Sequence, residues 1–266
     1  GETLALLGNG LSLSGSNLVA DSGHIALGSI RSGTVALKKD EVWRFDYEGV
    51  GEWNDIILRS QSALDASGLE SQGIQLAGHT IQLTEGSLAF IQALGNANNA
   101  DIEVMARDRL YLAGANPEVT VSSGIRSELI NLSATPDTVS GGDIQITARD
   151  IVVEDGAEIV LPNYSVQTSG SIDITVDQSI RVNDVATQEL IRFSRIAVAT
   201  FSQGNGGDVT LRGNRLFLTD GGTISSSTGG MGNGGNVRIK MSESVQITGL
   251  APESAGDFRA SGTIDA

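Results

Sequence analysis

Residues 208–235 read DVTLRGNRLFLTDGGTISSSTGGMGNGG, and this stretch decides the fold. It contains three short runs, 209–211, 216–218 and 223–226, in which apolar residues alternate with small or polar ones. Such alternation is typical of half-buried β-strands. Glycine, asparagine and aspartate separate the runs, and these residues favour turns. The stretch therefore predicts three short strands joined by tight turns.

The same pattern recurs along the chain at a regular spacing. The recurrences begin at Ile74, Ile102, Ile144, Ile172, Val209 and Val237. The steps between them are 28, 42, 28, 37 and 28 residues, and a second strand follows each start after seven or eight residues. A β-rich repeat of this length is a solenoid signature.

The repeat predicts an all-β fold, a right-handed parallel β-helix with three strands per coil and roughly nine coils. One coil cannot bury its apolar residues alone, so successive coils must stack and form ladders of parallel strands. We expect two buried columns, which are Ile144, Ile172, Val209 and Val237, and then Ile146, Ile174, Leu211 and Ile239.

The chain reads as a single β-helix domain over 1–266, with three regions. Tight coils are expected over 1–37, an irregular aromatic flap over 38–55, and longer coils with corner insertions over 56–266. The insertions at 113–140 and 183–195 account for the steps of 42 and 37 residues, because extra residues at a corner leave the ladder register intact. The last strand-like run, Thr263–Ile264, stands in mid-coil, so we expect the chain to be a fragment of a longer polypeptide or its open end to be covered by something else.

Composition disfavours several classes of partner. The 266 residues carry a formal net charge of −15 with only 17 basic side chains, which disfavours nucleic acid and anionic membrane surfaces. No run of apolar residues is long enough to insert into a bilayer. The chain has no cysteine, so hydrophobic stacking rather than disulfide bonds must hold the coils together.

The flap is the main candidate for recognition. It contains Trp43, Phe45, Tyr47 and Trp53, which include both tryptophans of a chain that is only 4% aromatic. Alternation places the first three on one face of a strand. Two interpretations stay open, an aromatic platform for a sugar or a partner protein and a plug that packs on the flank of the solenoid.

Several stretches resemble a known family. They are 1–8 (GETLALLG), 15–29 (GSNLVADSGHIALGS), 47–50 (YEGV), 55–68 (DIILRSQSALDASG) and 218–224 (LTDGGTI). They are similar to the segment that follows the secretion domain in filamentous-haemagglutinin-like exoproteins of two-partner secretion, a type abundant in cyanobacteria. The resemblance implies a right-handed parallel β-helix that an outer-membrane transporter partner exports, and that is then displayed on the bacterial surface or released. The secretion-signal motifs of that family are missing from this chain, so no transporter-recognition residue is carried over.

Residues that could support chemistry are few. His24 and His79 each adjoin a turn glycine and are expected to be exposed corner residues outside any metal or catalytic site. Acidic or amide side chains open several coils, at Asp55, Asp101, Asp143, Asp208 and Asn236. Stacked carboxylates would suit Ca²⁺, whereas the alternative is that each one caps its own turn. We expect no cofactor, with Ca²⁺ at this corner as the alternative.

The expected function is a non-catalytic structural and adhesive segment of a secreted or surface-displayed bacterial exoprotein. One alternative is a glycan-binding module that uses the flap aromatics, with a glycan or protein of a cell surface or the extracellular space as its ligand. Another is a polysaccharide lyase or hydrolase, which needs carboxylates or calcium beside a basic residue. The chain has only three lysines, Lys38, Lys39 and Lys240, which disfavours an enzyme.

Overall fold

The protein is an all-β solenoid built from parallel strands, as the repeat predicts. The computed structural model describes residues 1–39, 43–95, 101–116, 121–130, 141–186, 192–249 and 262–266. Eight strands lie side by side in each of the two long sheets, which run the length of the molecule, and all neighbours along these two paths are parallel. The described residues therefore form eight stacked coils rather than the nine expected.

The strands are numbered in chain order. They are β1 (Thr3–Gly8), β2 (Leu11–Ser14), β3 (Asn17–Val19), β4 (His24–Gly33), β5 (Ala36–Lys39), β6 (Trp43–Asp46), β7 (Val50–Trp53), β8 (Ile56–Arg59), β9 (Ala63–Asp65), β10 (Gly73–Thr84), β11 (Leu88–Ala93), β12 (Ile102–Ala113), β13 (Ala115–Asn116), β14 (Val121–Ser122), β15 (Gly124–Leu129), β16 (Ile144–Glu154), β17 (Glu158–Asn163), β18 (Ile172–Asn183), β19 (Val185–Ala186), β20 (Arg192–Phe193), β21 (Arg195–Thr200), β22 (Val209–Thr219), β23 (Thr223–Thr228), β24 (Val237–Thr248) and β25 (Thr263–Asp265).

Two sheets carry the coils. The first sheet has the order β1-β4-β10-β12-β16-β18-β22-β24, and β2 and β8 extend it beside β10. The second sheet has the order β3-β9-β11-β15-β17-β21-β23-β25. A typical coil is thus one long bent strand of the first sheet followed by one short strand of the second.

The bend in each long strand divides it into two segments, which gives the predicted three strand segments per coil. The register between β10 and β12 shifts at this bend, where His79 of one strand faces Arg107 and Asp108 of the other. The coil of β12 therefore has one residue more at this position than the preceding coil of β10. This difference explains why the two apolar runs of a coil are separated by seven residues in some coils and by eight in others.

The predicted columns are present. Ile102, Ile144, Ile172, Val209 and Val237 pair in one continuous ladder. The first four are completely buried, whereas Val237 is half-buried. Ile239 departs from the prediction in the same way, since β24 is the last strand of its sheet and has a neighbour on one side only.

The turn between the long strand and the short strand has a fixed conformation in several coils. Glu85–Gly86, Asp155–Gly156 and Asp220–Gly221 each adopt two consecutive positive φ angles. Glycine tolerates this backbone region, and aspartate tolerates it better than most other residues. The Asp-Gly pair at 220–221, which the sequence marks as a turn, is one of these corners.

The aromatic flap is an excursion from the second coil. It begins before residue 38, because β4 continues past the coil and its end pairs antiparallel with β7, with Ile30 opposite Trp53 and Gly33 opposite Val50. Between them β5 and β6 form an antiparallel hairpin. The residues 30–37, expected in a tight coil, thus belong to this excursion, which we call the insertion (30–55). Their partners lie in β6 and β7 and not in a neighbouring coil.

Two smaller hairpins leave the corner before the second sheet. β13 pairs with β14, and β19 pairs with β20, both antiparallel. They lie within the predicted insertions 113–140 and 183–195, although 117–120, 131–140 and 187–191 are outside the described residues. The two hairpins meet where Arg192 Nη1 donates a hydrogen bond of 3.1 Å to Ser122 Oγ.

Candidate functional site

The insertion lies against the outer face of the first sheet. The backbone N–H of Phe45 donates to Gln75 Oε1, and Gln75 Nε2 donates to the carbonyl oxygen of Phe45, both at 3.2 Å. Arg44 forms an ion pair with Glu103 of the next coil. These side chains point outward because Ile74 and Leu76 take the inward positions of the strand. Outward polar residues of β10 and β12 therefore hold the insertion down.

Tyr47 is the buried anchor of the insertion. It is 8% exposed, and its ring lies 5.5 Å from that of Trp53 at an interplanar angle of 49°. Its hydroxyl is buried and has no hydrogen-bond partner among the described residues. Burial raises the pKa of this phenol above its ordinary value. Tyr47 thus packs as the predicted plug does.

The four predicted aromatic residues do not form one platform. Phe45, Tyr47 and Trp53 line a single groove, but Trp43 is not among the lining residues. Trp43 is 36% exposed, and Phe45 and Trp53 are half-buried. Trp43 and Phe45 both lie in β6, and Tyr47 follows the end of that strand at Asp46, so alternation within the strand does not decide which of the three line the groove.

The groove, which we call the insertion groove, has a volume of about 650 Å³ and lies between the insertion and the first sheet. The sheet contributes Gln75, Glu103, Gln145 and Thr147, which come from three successive coils. Aromatic surface on one wall and amide, carboxylate and hydroxyl groups on the other make the groove amphipathic. Such a lining suits a ligand that has both apolar faces and hydrogen-bonding groups.

The charges around the insertion groove are largely paired. Lys38 Nζ lies 2.5 Å from Asp46 Oδ2, and the hydrogen bond from Lys38 is the main reason that the pKa of Asp46 is lowered. The Arg44–Glu103 ion pair lies at another edge of the groove. The opposite charges at the rim cancel, so the groove has little net electrostatic field. It therefore offers a ligand mainly hydrogen bonds.

The two histidines differ in environment. His24, expected at an exposed corner, is buried at the start of β4, and Nδ1 has no hydrogen-bond partner among the described residues. Burial first, and then the charge of Arg44, lower its pKa to about 4. The exposed His79 lies with Nδ1 3.4 Å from Asp55 Oδ1. The prediction for His24 is wrong because the insertion, which sequence spacing does not locate, folds over this part of the sheet.

The corner carboxylates connect one coil to the next. Asp101 Oδ1 accepts from the backbone N–H of Asp143 at 2.8 Å, and Asp143 Oδ1 accepts from that of Ser171 at 2.7 Å. Asp208 Oδ1 accepts from the N–H of Asn236 at 2.7 Å. Asp55 lies at a different corner, where Oδ1 accepts from the N–H of Thr80. The acids thus bond the following coil, and not their own turn as the alternative proposed.

Burial is the main reason that the pKa of Asp101 is raised, and the Asp143 charge adds to it. Within the described ranges, no group of three or more histidine, cysteine or acidic side chains is placed to hold a metal ion. Ca²⁺ at this corner stays the untested alternative to the expectation of no cofactor.

A second groove was not predicted from the sequence. It lies on the outer face of the second sheet, and Phe201 lines one end. Tyr164 and Phe201 are exposed and their rings stack at 5.1 Å. Each directly follows a strand of the second sheet, after Asn163 and Thr200, which pair in register. Aligning the ends of the third strands of successive coils would have placed these two rings side by side.

Across the part of the chain that the structure describes, no helix is long and apolar enough to cross a membrane. Comparison of the chain with protein-family models, with curated proteins and with solved structures gave no match.

Proposed function

We propose that this chain is a non-catalytic structural and adhesive segment of a secreted or surface-displayed bacterial exoprotein of the two-partner-secretion, haemagglutinin-like type. The observation that carries the proposal is the continuous stack of eight coils with the insertion folded onto one face. At about 4.8 Å per coil, the stack extends roughly 34 Å and presents its side faces to the surroundings. An elongated solenoid with an insertion on one side face is a suitable shape for attachment to another surface.

The ladder also supports the export route. Along the two long sheets each coil pairs only with the adjacent coils, so a solenoid can fold coil by coil as it emerges from a transporter. The chain has no cysteine, so this folding needs no oxidation step. An outer-membrane transporter that passes an unfolded chain is therefore a suitable partner.

The export proposal is tested with a fusion. The chain is placed behind a two-partner secretion domain and expressed in a bacterium with or without the matching outer-membrane transporter. We expect folded, protease-resistant chain outside the cell only when the transporter is present. Retention in the periplasm when both are present would contradict the proposal.

A second function, glycan binding by the insertion groove, has its own support in the aromatic wall opposite amide and hydroxyl groups. Thr147 is an exposed residue of the sheet wall of this groove, and Thr175 occupies the same column one coil further on, outside the groove lining. In a glycan-array experiment, Thr147→Trp should abolish any signal of this groove and Thr175→Trp should preserve it. Equal signals from the two variants would contradict glycan binding there.

The non-catalytic character is tested separately. Purified chain is incubated with alginate, polygalacturonate and other acidic polysaccharides, and released reducing ends and unsaturated products are measured. We expect no release above that of a heat-denatured sample. Sustained release that scales with protein concentration would favour a lyase or hydrolase instead.

A further inference from the structure

The groove on the second sheet has a floor of small and hydroxyl side chains. We call it the sheet-two groove; its volume is about 660 Å³. Ala197 and Ala199 of β21 lie beside Ser225 and Ser227 of β23, so the floor is two strands wide. These side chains point outward, since Ile196, Val198 and Ile224 fill the inward positions. The floor is shallow and offers hydroxyl groups close to the backbone.

An uncovered aromatic ring forms one end of this groove. Phe201 is 53% exposed and stacks on Tyr164 of the preceding coil at an interplanar angle of 16°. In the following coil the same position is Gly229, because Thr200 pairs with Thr228. A Cβ added at Gly229 would lie 3.5 Å from Phe201 Cδ1. Glycine at this position therefore leaves the second face of the Phe201 ring open.

Two fixed guanidinium groups lie toward the other end. Arg195 donates through Nε and Nη2 to Glu158 Oε2 at 3.1 and 2.7 Å. Arg192 Nη1 donates to Ser122 Oγ at 3.1 Å. Glu158 Oε1 also accepts a hydrogen bond of 3.1 Å from Arg126 Nη1, so Glu158 bridges two arginines. An arginine has five N–H donors, and a fork anchored in this way holds the remaining donors of Arg195 in a defined plane.

We propose that the sheet-two groove binds a neutral oligosaccharide. The open face of Phe201 would stack on the C–H surface of one sugar ring, while the serine hydroxyls and Arg195 would bond hydroxyl groups of the others. Arg195 and Phe201 are six steps apart along the chain, which is about 20 Å at 3.3 Å per residue and enough for several linked hexoses. A chain that runs parallel to β21 thus contacts both ends.

Charge favours a neutral glycan over an acidic one. Arg195 is already paired with Glu158, and the whole chain has a net charge of −15. A polyanion would meet long-range repulsion and only guanidinium groups whose charge is partly neutralised. A neutral sugar needs hydrogen bonds and an apolar face, and both are present.

This inference goes beyond the proposed function, because the sheet-two groove lies on the other sheet and shares no lining residue with the insertion groove. Its failure would leave the export and attachment proposals unchanged. A signal from the insertion groove is recognised by its sensitivity to Thr147→Trp.

The test is isothermal titration calorimetry of the purified chain with maltohexaose, cellohexaose, laminarihexaose and mannohexaose. We expect at least one of them to bind. Phe201→Ala should weaken that binding about ten-fold through the lost stacking surface. Ser225→Tyr should abolish it by filling the floor. Met231→Ala is the matched control, since Met231 is an 81% exposed apolar side chain outside the groove lining.

Three results would overturn the proposal. The first is no heat of binding with any of the four neutral hexasaccharides at millimolar concentration. The second is binding that Phe201→Ala and Ser225→Tyr leave unchanged. The third is binding of hexagalacturonate alone. Thermal melts of each variant accompany the titrations, and because Phe201 and Ser225 both lie on the outer face, we expect them to stay within a few degrees of the parent.

Discussion

Tyr47 packs directly on Gly28. A Cβ at Gly28 would lie 2.9 Å from the Tyr47 Oη atom and 2.5 Å from the Cδ2 atom of Leu7. Gly28 is an outward position of β4, and glycine there lets the phenol ring approach the sheet. This contact lets the insertion pack closely against the solenoid.

The buried hydroxyl of Tyr47 gives the first prediction. Tyr47→Phe should raise the free energy of unfolding by about 1 kcal/mol, because it removes a polar group that is buried without a partner among the described residues. Tyr111→Phe is the matched control. The Tyr111 hydroxyl donates to Glu154 Oε1 at 2.7 Å, so this variant should lose about 1 kcal/mol. Denaturant titrations measure both, and a loss of stability in Tyr47→Phe would contradict the prediction.

The second prediction concerns the attachment of the hairpin at Phe45. Gln75→Ala removes both hydrogen bonds to the Phe45 backbone. We expect hydrogen–deuterium exchange of the Phe45 amide to accelerate about ten-fold, as the loss of one to two kcal/mol of local stability implies. Gln82→Ala, on the other side of the bend in the same strand, is the control. Unchanged protection at Phe45 would contradict this role of Gln75.

The third prediction concerns the stacked core. Val209 is completely buried between Ile172 and Val237, so Val209→Asp should destabilise the protein by several kcal/mol through an unpaired buried charge. Thr175→Asp places the same charge on the outer face of the neighbouring strand and should change stability little. Melting temperatures measure both. If Val209→Asp melts within a degree or two of the parent, the ladder register is wrong.

The fourth prediction concerns pH and His24. The folded state lowers the pKa of His24 from 6.5 to about 4, so the unfolded chain binds the proton more tightly. Stability from this group is present above about pH 6.5 and is lost as the pH falls toward 4, by on the order of 3 kcal/mol. His24→Gln should remove this part of the pH dependence. Arg44→Gln is a second test, because the charge of Arg44 also lowers the His24 pKa. Removing this charge should raise the folded-state pKa of His24 and so reduce the stability lost at low pH.

The sequence by itself determined the repeat and the ladder register. Ile144, Ile172 and Val209 align as their spacing indicates because inward positions alternate along each strand, and this alternation is a local property. The turn at Asp220–Gly221 is equally local, since two left-handed residues in a row require this composition. Insertions at the corners lengthen the step between repeats but change neither the alternation within strands nor the composition of this turn.

Only the tertiary structure decided the sites. The contact between Gly28 and Tyr47 and the hydrogen bonds between Phe45 and Gln75 each join the insertion to the sheet. Sequence alternation sets which face a side chain takes within its own strand, but not which distant segment covers that face. Burial of His24 and Tyr47, and the exposure of Phe201, follow from that long-range packing.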